Sequence, residues 1–253
     1  MLALLILTVA ILAFLAYRFQ ALTLGGALMA FLVGAGIAIP FSFEGLLVLA
    51  TFFISSTLLG RLPARTFKRE KEKRTASQVF ANGGVAALIA LLSLPFADEE
   101  LFKVLFIGAL AAANSDTWAT EGGKRWGGKP YHIRMNARAT VGRSGSMTFV
   151  GTVFSVLGSG LVAILGSLLL LDGQWALLIT IAGFLGAMAD TLIGAFLQEE
   201  RQCVRCQALI EEKRHCGQPT RKVRGISGLD NNMVNTACTG MGAFVAMMIF
   251  LLV

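Results

Sequence analysis

Apolar runs of bilayer-crossing length make up most of the chain, and short polar stretches separate them at regular intervals. A span needs about 20 mainly apolar residues. By that measure the runs cover 1–17, 21–39, 44–60, 78–96, 101–120, 146–171, 175–197 and 229–253. The pattern predicts eight transmembrane helices in a single all-α domain over 1–253. The first run has neither a basic leading region nor a small-residue cleavage site, so it reads as a helix and not as a removed signal peptide.

The polar stretches alternate in charge. Of the 22 Lys and Arg, 21 follow the first, third, fifth and seventh runs, leaving Lys103 alone on the other side with Glu44, Asp98, Glu99, Glu100 and Asp172. The positive-inside rule then places loops 61–77, 121–145 and 198–228 in the cytoplasm and both termini outside. This asymmetry accounts for the net charge of +7. Most aromatic residues are Phe inside apolar runs, not interleaved with Lys or Arg, which argues against a nucleic-acid surface. Only 15% of residues are charged, against roughly a quarter in soluble domains. The reading is a polytopic protein of the cytoplasmic membrane, with the number of subunits, a homo-oligomer included, left open.

Three polar intrusions break the apolar runs. The fifth run ends in Asn114-Ser115-Asp116-Thr117-Trp118-Ala119-Thr120-Glu121. In the seventh, Gly186, Asp190, Gly194 and Gln198 recur every four residues and share one helix face. The eighth opens with Asp230-Asn231-Asn232-Met233-Val234-Asn235. At 1.5 Å per residue, Asp116, Asp190 and Asn235 all fall roughly 9–12 Å below the cytoplasmic surface. One Asp at a helix centre costs about 2.5–3.5 kcal/mol on insertion scales, so groups brought to one depth point to a site. Carboxylates with amides and hydroxyls suit Mg²⁺, which takes one or two carboxylates and completes its shell with substrate phosphates. The bland alternative is hydrogen bonding between helices. A weak echo links Gly108–Thr117 to Gly183–Thr191, both ending in Asp-Thr.

The loops carry further candidates. Gln78 and Asn82 lie four apart where the fourth run begins, placed either to cap neighbours or to touch a ligand. The basic stretch 61–74 reads first as a topology signal beside anionic headgroups. Val141-Gly142-Arg143-Ser144-Gly145-Ser146 precedes the sixth run, where free N–H groups of a helix start could cradle a phosphate; it reads equally well as a capped loop. Cys203-Val204-Arg205-Cys206 followed by His215-Cys216 has the make-up of a structural zinc knuckle, with free thiols as the alternative. Cys238, inside the last run, reads as a packing residue.

At these same motifs the chain resembles a known membrane family, the plant phytyl-phosphate kinases of chlorophyll-phytol salvage and the animal transmembrane protein nineteen. The likeness runs from Gln78-Val79-Phe80-Ala81-Asn82-Gly83-Gly84 through Asn114–Glu121, Ser144–Ser146, Gly186–Gly194 and Leu229–Asn235, with Asp-Thr-Trp-Ala-Thr-Glu its most specific string. The resemblance implies phosphoryl transfer from a nucleoside triphosphate, CTP by implication, to a membrane-embedded prenyl monophosphate, giving the diphosphate. On this reading Asp116, Glu121, Asp190 and Asp230 hold Mg²⁺. Asn82, Asn114, Asn231, Asn232 and Asn235, with Thr117 and Thr120, orient phosphates or those carboxylates. Arg143, Ser144, Gly145, Ser146 and Gln198 bind the nucleotide end. Two other readings share the polar set: a cation- or proton-coupled transporter, whose site would be expected nearer the midplane, and a CTP-dependent nucleotidyl transferase acting on a lipid.

Overall fold

In the computed structural model, residues 2–63, 73–96, 99–210 and 213–253 are described. The basic residues between 64 and 72, and Asp98, lie outside these. Seven helices appear among the described residues: α1 (Leu2–Arg18), α2 (Leu24–Arg61), α3 (Ala76–Ser93), α4 (Glu99–Trp126), α5 (Phe149–Leu170), α6 (Ala176–Phe196) and α7 (Asn231–Phe250). Of these, α2, α5, α6 and α7 are long and apolar enough to cross a membrane, while α1 and α3 are shorter apolar helices.

α2 is two helices in one. A straight helix of its 38 residues would reach about 57 Å. Yet Arg61 Nη2 donates to the Phe19 carbonyl at 3.1 Å, so the two ends of α2 lie together. The chain turns back at Ser42 (φ 52°, ψ −145°), two residues after Pro40, whose ring cannot continue a helix. The separate runs 21–39 and 44–60 are therefore two arms joined without a loop, and the helical segments number eight among the described residues. Arg74 extends the same end of the bundle: Thr23 N–H donates to its carbonyl and Arg74 N–H to Ala21 O, each at 3.0 Å.

Helices that start at this end carry side-chain caps. Thr23, Thr148 and Asp230 accept from Gly26, Gly151 and Met233 N–H at 3.0, 2.9 and 3.0 Å, satisfying donors that a helix start leaves unpaired. Thr75 forms a capping box with Gln78, whose Oε1 accepts the Thr75 N–H at 2.9 Å, so Gln78 has a capping role.

The bundle is built around α4, which packs on α2, α3, α5, α6 and α7. Every residue from Phe106 to Ser115 is buried. This is why the least apolar helix can hold the polar cluster: its neighbours are other helices and not lipid.

One expectation needs correction. The protein is mostly helical but not all-α. Loop 121–145 begins as helix, because α4 continues to Trp126, and then forms β1 (Tyr131–His132) and β2 (Ala137–Arg138). With β3 (Ser146–Met147) these make an antiparallel sheet ordered β2-β1-β3. Loop 198–228 holds β4 (Glu200–Cys203), β5 (Leu209–Ile210), β6 (Arg214–His215) and β7 (Gln218–Arg224), an antiparallel sheet ordered β5-β4-β7-β6. Strands of two to seven mostly polar residues are too short and too hydrophilic to show alternating hydrophobicity.

Candidate functional site

The Asn114–Glu121 motif separates by helix face. Asn114 is fully buried: its Oδ1 accepts from Ser55 and Ser56 hydroxyls at 3.1 and 3.0 Å, and its Nδ2 donates to Gly158 O at 2.7 Å. Ser115 Oγ contacts Ser155 Oγ at 2.8 Å, and Trp118 Nε1 donates to Ser55 Oγ at 3.3 Å. Glu121 pairs with Arg125, whose guanidinium also donates to the Gly60 and Leu62 carbonyls at 2.6 and 3.0 Å at the end of α2. Arg74, stacked over Phe52 and Phe53, attracts the Glu121 carboxylate as well. This face fastens α4 to α2 and α5.

Asp116 faces elsewhere. At about 100° per residue it points some 140° away from Glu121. The register with α6 and α7 fixes its neighbours. A Cβ on Gly186 would lie 2.7 Å from Ala112 Cβ and 2.9 Å from Cys238 O, so the three backbones meet there as closely as only glycine allows. Cys238 Sγ lies 3.7 Å from Ala112 O. One turn toward the basic end, α4 presents Asp116 and α6 presents Asp190. α7 runs antiparallel to both and brings Asn235 to that level. With its amide turned to donate, Asn235 reaches Asp190 Oδ2 at 3.3 Å and Asn231 O at 3.0 Å. The two threonines of the echo behave alike: Thr117 Oγ1 donates to Ala113 O and Thr191 Oγ1 to Ala187 O, at 2.9 and 3.2 Å. Each hydroxyl is spent on its own helix beside a carboxylate.

The remaining candidates spread outward. Asn82 Nδ2 donates to Gln78 O at 2.9 Å on α3, next to α7 through Thr239 and the Ala81 carbonyl. Thr120 is exposed, one turn beyond Asp116. Asp230 caps α7 from an exposed position and lines a cavity of about 80 Å³ with Glu199, Lys213 and Gly228. Asn231 is exposed beside it, and the Asn232 carbonyl accepts from Thr236. Asp116, Asp190 and Asn235 thus come together, Asp230 sits at the mouth, and Asn114 and Glu121 lie on a different face of α4.

Loop 142–146 docks on the end of α6. Gly145 (φ 75°) lies so close to Ala195 that a Cβ would overlap its backbone, and Ile133 N–H donates to Gly145 O at 3.2 Å. Arg143 is held by Glu200 through two bonds, Nε–Oε1 at 2.8 Å and Nη2–Oε2 at 3.0 Å. Glu200 also accepts from Arg224 Nε at 3.2 Å, while Arg224 Nη1 reaches Ala195 O. Arg143 therefore clamps loop to sheet. Beneath the clamp, Gln198 is 2% exposed and, among the described residues, neither of its amide atoms has a partner; Ser146 Oγ and His132 Nε2 are likewise buried and unpartnered there. Burial holds the His132 imidazole below its usual pKa, and Arg143 and Arg224 lower it further. The Gly228 N–H, then Arg201, hold the Glu199 carboxyl below the usual range.

Cys203, Cys206, His215 and Cys216 converge as their spacing suggests, with all four ligand atoms within 4.8 Å of one another. Some partners escaped the sequence reading. Ser55 and Ser56 looked like unremarkable small residues in an apolar run. Lys124 stands among the loop charges in the sequence, yet it is in phase with Asp116 and Thr120 on α4, and its Cε lies 3.7 Å from where a Gly142 Cβ would be. The four-residue spacing was the signal that could have found it.

A family model described as integral membrane protein DUF92 matches residues 7–243. An uncharacterised membrane protein of Methanocaldococcus jannaschii, MJ0933, is 33% identical over 161 residues, 62% of this chain and 67% of that one. Protein PGR of Arabidopsis thaliana is 25% identical over 256 residues, 89% of this chain and 88% of its own length. The chloroplastic Arabidopsis protein VTE6 is 22% identical over 238 residues, 90% of this chain and 65% of VTE6. These matches bear out the resemblance to the phytyl-phosphate kinase family. No solved structure matches.

Proposed function

Because the chain belongs to the DUF92 family of integral membrane proteins, we propose that it is a prenyl-monophosphate kinase working at the inner face of the cytoplasmic membrane. The reading takes all eight helical segments as spans, with both termini outside and the basic end in the cytoplasm. A phosphate oxygen of the prenyl monophosphate attacks the γ-phosphorus of a nucleoside triphosphate, with CTP the first candidate. The bond to the nucleoside diphosphate breaks, and a prenyl diphosphate leaves.

One observation carries the proposal. Asp116 on α4 and Asp190 on α6 stand level at the basic end, and Asn235 of α7 contacts Asp190. The donor set fits Mg²⁺: two carboxylates, an adjacent amide, and room in the shell for phosphate oxygens. Bound there, Mg²⁺ would neutralise phosphate charge, and most of such a transfer is positioning and charge neutralisation. Asp116 and Asp190 would hold the ion and Asn235 would orient Asp190. Asn231 and Asn232 would meet phosphate at the mouth, with Asn82 and Thr120 alongside, while Asp230 would act through the cation and Thr117, bonded to its own helix, would shape the wall beside Asp116. Ser146 and Gln198 are assigned to the nucleotide, since buried polar atoms without a partner among the described residues call for another one, and Ser144 is assigned there by its place in the same loop. Arg143 serves that end by fixing the loop, and Asn114 and Glu121 by holding α4 in place.

Purified protein with Mg²⁺, CTP or ATP and a panel of prenyl monophosphates, read by mass spectrometry, tests this. Diphosphate product is expected, dependent on Mg²⁺ and lost in Asp116→Asn and Asp190→Asn. A CDP-linked lipid would identify a nucleotidyl transferase instead. Solute flux in proteoliposomes without nucleotide, and no product with any prenyl phosphate, would mark a transporter.

A further inference from the structure

The four-stranded sheet β5-β4-β7-β6 has almost no core of its own. Among its described residues between 200 and 224, only Cys203 and Thr220 are buried. A module this small is usually stapled by a disulfide or a metal, because apolar burial cannot hold it. Cys203, Cys206 and Cys216 are free thiols, so no disulfide does this.

The two turns at one edge of the sheet have the shape that metal ligation needs. β4 ends at Cys203, and the turn to β5 carries Cys206, with Gln207 at φ 59° donating its N–H to Cys203 O at 3.0 Å. β6 ends at His215, and its turn to β7 carries Cys216 (φ 51°) and Gly217 (φ 74°), a left-handed pair that curls the backbone back on itself. His215 Nδ1 lies 3.4 Å from Cys206 Sγ and 3.3 Å from Cys216 Sγ. Tetrahedral zinc, with Zn–S near 2.3 Å and Zn–N near 2.0 Å, sets S···N edges of about 3.5 Å. Three thiols and an imidazole around one point suit zinc and not the hard cation of the carboxylate site.

We propose that Cys203, Cys206, His215 through Nδ1, and Cys216 bind one zinc ion that ties the β4–β5 turn to the β6–β7 turn. The ion closes one end of the β4/β7 pair. The other end holds Glu200 and Arg224, which grip Arg143 and the Ala195 carbonyl. Zinc thereby keeps loop 142–146 seated on α6 from the opposite end of a single pair of strands. The metal site stands whatever reaction the membrane site performs.

The test is metal analysis of the full chain, purified in detergent without a polyhistidine tag. About one zinc per chain is expected, and X-ray absorption should show three sulfur ligands and one nitrogen. Cys203→Ser and Cys216→Ser should lose the zinc. His215→Cys should keep it with four sulfur ligands, and Cys238→Ser should keep it unchanged, so a variant that fails to fold does not decide the matter. On stripping with an organomercurial, amide exchange should rise in 199–224 and in 142–146. Folded protein without zinc, or with one iron in its place, would overturn the site. Exchange that stays unchanged at 142–146 after stripping would overturn the clamp.

Discussion

Two residues apart on α4, Asn114 and Asp116 should respond to substitution in opposite ways. Asn114 makes three hydrogen bonds to α2 and α5 while fully buried. Interhelical hydrogen bonds in membrane proteins average about 0.6 kcal/mol, so Asn114→Ala should cost about 2 kcal/mol, with the Ser55 and Ser56 hydroxyls falling back on the Phe52 carbonyl. For a chain of this length that is about 4–8 °C in melting temperature. Asp116 holds a carboxylate inside a helix bundle, an arrangement that serves a site at the expense of stability. Asp116→Asn should therefore melt no lower than the wild type while losing Mg²⁺-dependent turnover. The assay pairs melting of each variant in detergent with product formation per folded molecule. Folded Asn114→Ala should keep near-normal turnover. An Asn114→Ala protein that melts like the wild type but makes no product would refute the division of α4 into a structural and a chemical face.

Gly145→Ala adds a methyl that overlaps Ala195 Cα and N at a positive φ, so a cost above about 2 kcal/mol and much less folded protein are expected. Ala195→Gly should not rescue it, since backbone atoms make the clash; full rescue, read as recovered monodisperse protein, would disprove this account. His132 gives a pH signature. Its folded-state pKa is lowered, so folding favours the neutral ring, and that contribution is complete above about pH 6.5, the unfolded value. As pH falls below about 6.5 the unfolded chain takes up a proton first and stability declines, until the folded-state pKa is passed. Melting curves between pH 8 and 5 should therefore fall less steeply for His132→Asn than for the wild type; parallel curves would exclude the histidine.

The candidate site is most legible in the sequence where helix geometry alone decides placement. Asp190 stood out through the repeat of Gly186, Gly194 and Gln198, and counting depth along each run put Asp116, Asp190 and Asn235 on one level. The division of the α4 motif was half visible, because the helical turn already separates Glu121 from Asp116. That Ser55 and Ser56 complete Asn114 was not visible, since nothing in an apolar run tells which small residue faces a partner 58 positions away. Arg143 reads in sequence as part of a phosphate cradle because its partner, Glu200, comes 57 residues later, in a contact between two loop regions that no local pattern announces. The reversal at Ser42 left a clearer trace, in Pro40 and Ser42 between two runs.

The matched Asp-Thr pairs on α4 and α6 have a consequence for direction. Two parallel helices offering the same carboxylate at the same height approach a local two-fold arrangement, and such a pair cannot by itself tell a donor phosphate from an acceptor. The asymmetry enters with α7, whose Asn235 engages Asp190. If two phosphates do meet between these carboxylates, this one amide marks the side on which each must sit, and with it the sense in which the phosphoryl group travels.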